Sequence, residues 1–109
     1  MLVINAFSAN MLPNDGGPVK VDFTPLTLQE AAQLLADMGV VFSAVGHTET
    51  AVLFSALLGA DVPCVRATIQ LRRGDRPALL GQYRGPRLPE GATSLPEGAT
   101  VEWWAILVY

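Results

Sequence analysis

Between Thr27 and Gly39 the apolar residues Leu28, Ala31, Leu34 and Leu35 recur at helical spacing. Thr27 and Glu30 stand at the separation of a capping box, and Gly39 follows Met38 where a helix commonly ends on glycine, so a packing helix is predicted here. A second stripe, Ala51, Leu53, Phe54, Leu57 and Leu58, predicts a helix from about Thr48 that stops at Gly59. Other stretches read as strands. Val19 to Phe23 alternates with period two and is closed by Pro25; Leu2 to Phe7 is a short apolar run; Val40 to Val45 is apolar enough to be buried on both faces. Pro63 to Leu71 and Ala78 to Tyr83 flank Arg72-Arg73-Gly74-Asp75-Arg76, where a hairpin turn is expected. Val101 to Tyr109 is a last, aromatic strand that puts Trp103 and Trp104 on opposite faces. Strands interrupted by helices predict an α/β fold: a single domain, residues 1–109, with a mixed sheet of about five strands flanked by helices.

Between the last two strands the pattern breaks into a polar, Gly- and Pro-containing loop that should be mobile. Leu-Pro-Glu-Gly-Ala-Thr occurs twice in it, at residues 88–93 and 95–100, which is too few copies for a repeat architecture. Glu90 and Glu97 are therefore chemically alike, and only position can separate them.

Composition changes this picture in two ways. Half of the residues are hydrophobic, more than in an average domain of this kind. No apolar run is long enough to span a membrane, so the surplus implies a buried subunit interface. The start of the chain lacks the basic opening of a signal peptide. Its lone cysteine, Cys64, cannot form an internal disulfide and is expected as a small core side chain, which fits a cytoplasmic setting, the host's if the protein is viral. With one histidine and one cysteine, no metal-ligand cluster is legible and no cofactor is implied.

The net charge of −3 argues against a duplex nucleic-acid binder, yet it conceals an asymmetry. Residues 66–87 hold six arginines against one acid, Asp75, a local excess of +5, while the rest of the chain sets Lys20 against nine carboxylates. Arg72, Arg73 and Arg76 are expected to solubilise the hairpin turn. Arg66 is different, because alternation puts it on a polar face in mid-strand with Thr68, where phosphate binding and a structural ion pair are both open.

Candidate chemistry centres on Ser43-Ala44-Val45-Gly46-His47, which leads from the buried strand to the second helix through the only histidine present. Gly46 gives the backbone freedom to turn, and His47 or Thr48 stands near the N-cap. The first amides of a helix and its dipole favour a phosphate, and histidine is suited to exchange a proton beside it near neutral pH. The bland alternative is a surface histidine with no chemistry.

Four segments in order resemble the type III anti-CRISPR ring nucleases found in viruses and, in related form, in bacteria. These are Asn5-Ala6-Phe7-Ser8 with Asn10-Met11-Leu12, then Ser43-Ala44-Val45-Gly46-His47 with Thr50, the isolated Arg66, and Arg87-Leu88 before Glu90-Gly91. The resemblance spans nearly the whole chain and implies a small homodimer that binds and cuts cyclic tetra-adenylate. It makes His47 the general acid and Glu90 the second catalytic residue, with Arg66 and Arg87 on phosphate and Asn5, Ser8 and Gln82 lining the nucleotide site. The chain departs from the family after the mobile loop, where the duplicated hexapeptide replaces a further helix, and in Gly85-Pro86.

Metal-free cleavage of a ribonucleotide uses the adjacent 2′-hydroxyl as nucleophile and leaves a 2′,3′-cyclic phosphate. It needs in-line alignment, phosphate stabilisation and a proton for the departing 5′-oxygen, roles that His47, Arg87, Glu90 and the helix amides around Gly46 can fill. A rival from another class is a non-catalytic protein that sequesters a nucleotide or a partner. A metal-dependent nuclease needs a carboxylate cluster that the sequence does not show.

Overall fold

Parallel strands must be joined by crossovers, and each of the two here contains one eleven-residue helix. The computed structural model describes residues 1–39, 41–74 and 76–109. Val40, expected to begin the third strand, and Asp75, expected in the arginine-rich turn, lie outside the described residues.

The strands are β1 (Leu2–Ile4), β2 (Val21–Leu26), β3 (Phe42–Ala44), β4 (Ala78–Arg84) and β5 (Thr100–Val108), in the order β2-β5-β4-β1-β3. β1 pairs parallel with β3 and β4, whereas β5 runs antiparallel to β4 and β2, so the sheet is mixed as expected. Helix α1 (Leu28–Met38) opens on the predicted capping box: Glu30 N–H donates to Thr27 Oγ1 at 3.1 Å and Thr27 N–H to Glu30 Oε1 at 2.9 Å. Helix α2 (Thr48–Leu58) ends on Gly59 with φ of 67°, the left-handed conformation that favours glycine.

Two cores follow from strand alternation. Val3, Leu79 and Trp103 point to one face and pack with Ala31 and Leu35 of α1 and Ala51, Phe54 and Leu58 of α2. Ile4, Leu80, Ile106 and Val108 point to the other, which neither α-helix covers and which is closed by Leu71, Ile69, Met11 and Leu12. Trp103 lies in the first core with its ring centroid 4.9 Å from that of Phe54, and Trp104 meets Phe23 edge-on at 6.3 Å on the opposite side. Both α-helices therefore flank the sheet on the same face.

Several local expectations are corrected. Residues 63–71 form no strand beyond a single parallel bridge from Cys64 to Val45, and no hairpin joins them to β4, whose partners are β1 and β5. The physical reason is a competing demand: Leu71 and Ile69 are drawn across the sheet to cover its second face, where Leu71 N–H donates to Met11 O at 2.7 Å. Cys64 is exposed rather than a core residue. β2 runs on through Pro25 to Leu26, which the outermost position in the sheet permits. β1 ends at Ile4, and Ala9–Met11 form one turn of 3-10 helix.

Arg73 does more than solubilise a turn. Its Nε and Nη2 each donate to the Asp15 carboxylate at 2.8 Å, and Nη1 donates to the main-chain oxygens of Pro18 at 2.9 Å and Tyr109 at 2.6 Å. This fork ties the 13–18 loop to the end of β5. The Arg73 hydrogen bonds, followed by the Gly17 N–H, lower the Asp15 pKa from 3.8 to about 2. A depressed carboxyl contributes stability that is present above the unfolded-state value and is lost as pH falls toward the folded value. Carboxyl-detected NMR titration should find Asp15 protonating near pH 2 in the wild type and near the ordinary aspartate value of about 3.9 in Arg73→Ala. Matching titrations in the two proteins would mean that the fork does not persist in solution.

Candidate functional site

Because β1, β3 and β4 are parallel, their carboxyl ends meet on one edge of the sheet, the edge at which ligands enter open α/β folds. Register sets the levels there. Ile4 pairs with both Ala44 and Leu80, so Asn5 follows at the level of Val45 and Gly81, with Gln82 and Gly46 one residue beyond. Gln82 also shares the face of Leu80, the side away from the helices.

Asn5 and Ser8 line a cleft of about 310 Å³ at this edge, together with Asn10, Ala44, Ala67 and Thr68. Asn10 and Thr68 were not picked out as site residues from sequence; Thr68 carried a signal, standing two positions after Arg66 on the expected polar face. The cleft is near the lower end of the range for small-ligand sites, about 300–1,000 Å³.

His47, three residues beyond the cleft-lining Ala44, is the N-cap of α2, with extended backbone at φ −119° and ψ 128°. Its side chain is exposed and makes no capping bond, so it leaves the first-turn amides to other acceptors. Ala51 N–H closes the first helical bond to His47 O at 3.0 Å. Glu49 lies in the same first turn and competes for the positive end of the dipole. Gly46 does not have the positive φ of a left-handed turn, and a Cβ there would meet only Arg66 Cγ at 3.6 Å, an ordinary contact. The turn is thus made by extended backbone and not by glycine's conformational freedom.

Arg66 is not in mid-strand, yet it reaches the site. Its Nε donates to Gly46 O at 3.0 Å, which settles neither a phosphate contact nor an ion pair, since the partner is a backbone carbonyl. The terminal guanidinium nitrogens of Arg66 make no hydrogen bond among the described residues.

Arg87 and Glu90 are exposed in the loop that leaves β4 and returns to β5 at the same edge. The β4 and β3 strands are separated by β1, about 10 Å in all at the usual strand spacing. Among the described residues no hydrogen bond or ion pair joins Glu90 to His47, so the two expected catalytic residues share an edge without touching. The duplicated hexapeptide makes two like turns, with Ala92 N–H on Pro89 O and Ala99 N–H on Pro96 O, and positive φ at Gly91 and Gly98. They differ in their anchors: Leu88 is buried and Leu95 is 38% exposed. Close approach also shapes this loop, since a Cβ on Gly85 would lie 2.6 Å from Ala99 Cβ. Among the described residues no group of three or more His, Cys, Asp or Glu side chains could hold a metal ion, and no helix is long and apolar enough to cross a membrane.

A small α/β domain with its polar residues gathered at the carboxyl edge of a mixed sheet is the class of protein that fold and site define. The chain belongs to the STIV B116-like family, whose model matches residues 1–100. Among solved structures it is similar to B116 of Sulfolobus turreted icosahedral virus, at 21% identity and a TM-score of 0.68 over 97% of each chain. At that identity the likeness shows the fold. No curated protein matches the chain.

Proposed function

We propose that this protein is a metal-independent ring nuclease that binds cyclic tetra-adenylate and cleaves it to linear di-adenylate ending in a 2′,3′-cyclic phosphate, switching off type III CRISPR signalling. One observation carries the proposal: His47, exposed and with no side-chain capping bond, is the N-cap residue of α2, directly after the Gly46 carbonyl that Arg66 Nε holds and three residues beyond Ala44, which lines the cleft with Asn5 and Ser8. The resemblance to the ring nucleases in those same positions supplies the substrate.

In the proposed reaction the 2′-hydroxyl attacks its own phosphorus, the bond to the 5′-oxygen breaks, and His47 delivers a proton to that oxygen. The α2 amides and the free end of Arg66 hold the phosphate, with Arg87 reaching in from the β4–β5 loop. Glu90, on the same loop, orients or deprotonates the 2′-hydroxyl once substrate draws the loop down, and Gln82 contacts the nucleotide. The ring is shared between two copies across a two-fold axis, which also supplies a second His47 for the opposite cut.

The test is a time course with cyclic tetra-adenylate in large excess over protein and chelator present throughout. Continued release of di-adenylate past one equivalent is expected. Consumption that stops at stoichiometry would identify a sequestering protein, and activity that returns only on adding magnesium or manganese would overturn the metal-free chemistry.

A further inference from the structure

Residues 64–66 bracket the turn that presents His47. Val65 N–H donates to Val45 O at 2.9 Å before the turn, and Thr48 Oγ1 donates to Cys64 Sγ at 3.8 Å after it. Between them, Arg66 Nε donates to Gly46 O at 3.0 Å. This third bond differs from the others because the Gly46 carbonyl belongs to the peptide that joins Gly46 to His47. A donor held on that oxygen orients the peptide plane, and the plane sets the direction in which the His47 side chain leaves the backbone. The Arg66 stem adds contact, since its Cγ lies 3.6 Å from where a Gly46 Cβ would stand. His47 has no capping bond of its own, so its aim depends on the backbone.

We infer that Arg66 is a positioning residue for His47: Nε fixes the Gly46–His47 peptide, while the terminal nitrogens remain available to an anionic ligand. The inference rests on the general-acid role proposed for His47, but the placement of the ring can be measured without substrate. It divides one side chain into two separable functions, aim through Nε and charge through the guanidinium head.

Three substitutions separate them. Arg66→Gln removes the charge but puts an amide N–H the same number of bonds from Cα as Nε, so it can still donate to Gly46 O. Arg66→Lys keeps the charge but carries its nitrogen one atom farther out. Arg66→Met has similar length and neither property. Because His47 is the only histidine, its imidazole resonances report the site directly in a histidine-labelled sample. In Arg66→Gln these signals are expected to overlay those of the wild type, whereas in Arg66→Lys and Arg66→Met they shift or broaden. Turnover should fall in all three, because each loses a group proposed to hold the phosphate or to aim His47, and furthest, by roughly 10- to 100-fold, in Arg66→Met, which loses both. KM should cross over, rising in Arg66→Gln and holding in Arg66→Lys. If Arg66→Lys retains the wild-type signals and kcat while Arg66→Gln loses them, Arg66 acts by charge and the inference fails. It fails equally if all three variants behave alike. Should the wild type not open the ring at all, the proposed function falls, and the His47 signals alone decide the positioning role.

Discussion

Replacing His47 with alanine is expected to slow ring opening by about 10²- to 10⁴-fold, the usual contribution of a positioned general acid, while affinity for cyclic tetra-adenylate stays within about threefold. The two effects separate because the proton is needed only as the 5′-oxygen departs, whereas the α2 amides and the arginines also hold the intact phosphate. The His47 side chain caps no amide and bonds to no neighbour in its own helix, so its removal leaves the fold intact. Single-turnover rates and equilibrium binding on the same preparation provide the measurement. A loss of affinity as large as the loss of rate would make His47 a binding residue. Mixed dimers of wild-type and His47→Ala chains extend the test to assembly, since each should make one cut and accumulate linear tetra-adenylate. A fully active monomer would remove the two-fold arrangement from the proposal.

The largest effect on stability is expected at Gly81, which lies in mid-strand in β4 against the helix layer. A Cβ there would stand 2.6 Å from Trp103 Cζ3 and 2.7 and 2.8 Å from Cζ and Cε2 of Phe54. Both rings are buried and packed on each other, so neither has room to withdraw. Gly81→Ala should therefore destabilise the protein by about 1–3 kcal/mol, as overpacking of a close-packed core does. The melting temperature should fall by roughly 4–8 °C for each kcal/mol in a domain near this size. Trimming the obstacle should relieve the strain, so Gly81→Ala combined with Phe54→Leu is expected to lose less than the two changes measured separately. An unchanged melting temperature for Gly81→Ala would show that β4 and the aromatic pair do not approach this closely.

Much of the architecture was legible because its cause is local. The capping box at Thr27 and Glu30, the glycines that end both helices and the opposite facing of Trp103 and Trp104 are consequences of backbone periodicity and of side chains three or four residues apart. The place of His47 at the start of α2 was legible the same way, from an apolar run that gives way to a helical stripe. The span from Pro63 to Leu71 misled for a matching reason. Its alternation is that of a strand, but alternation does not say which surface the apolar side chains will cover, and here they close the sheet face opposite the two α-helices.

What the sequence by itself determined is the two α-helices, the five strands that form and their approximate ends, together with the residue types able to do phosphodiester chemistry. Tertiary structure alone decided how those residues are used. Arg73 and Asp15 form a fork across 58 positions, Arg66 bonds the carbonyl of Gly46 twenty residues away, and Gly81 is required by rings from two other elements. No local pattern records such partners, because the bond depends on where the sheet order brings distant segments together. The two copies of Leu-Pro-Glu-Gly-Ala-Thr show this most directly. Identical residues make identical turns, yet Leu88 is buried and Leu95 is not, because burial is settled by what the rest of the chain places beside each copy.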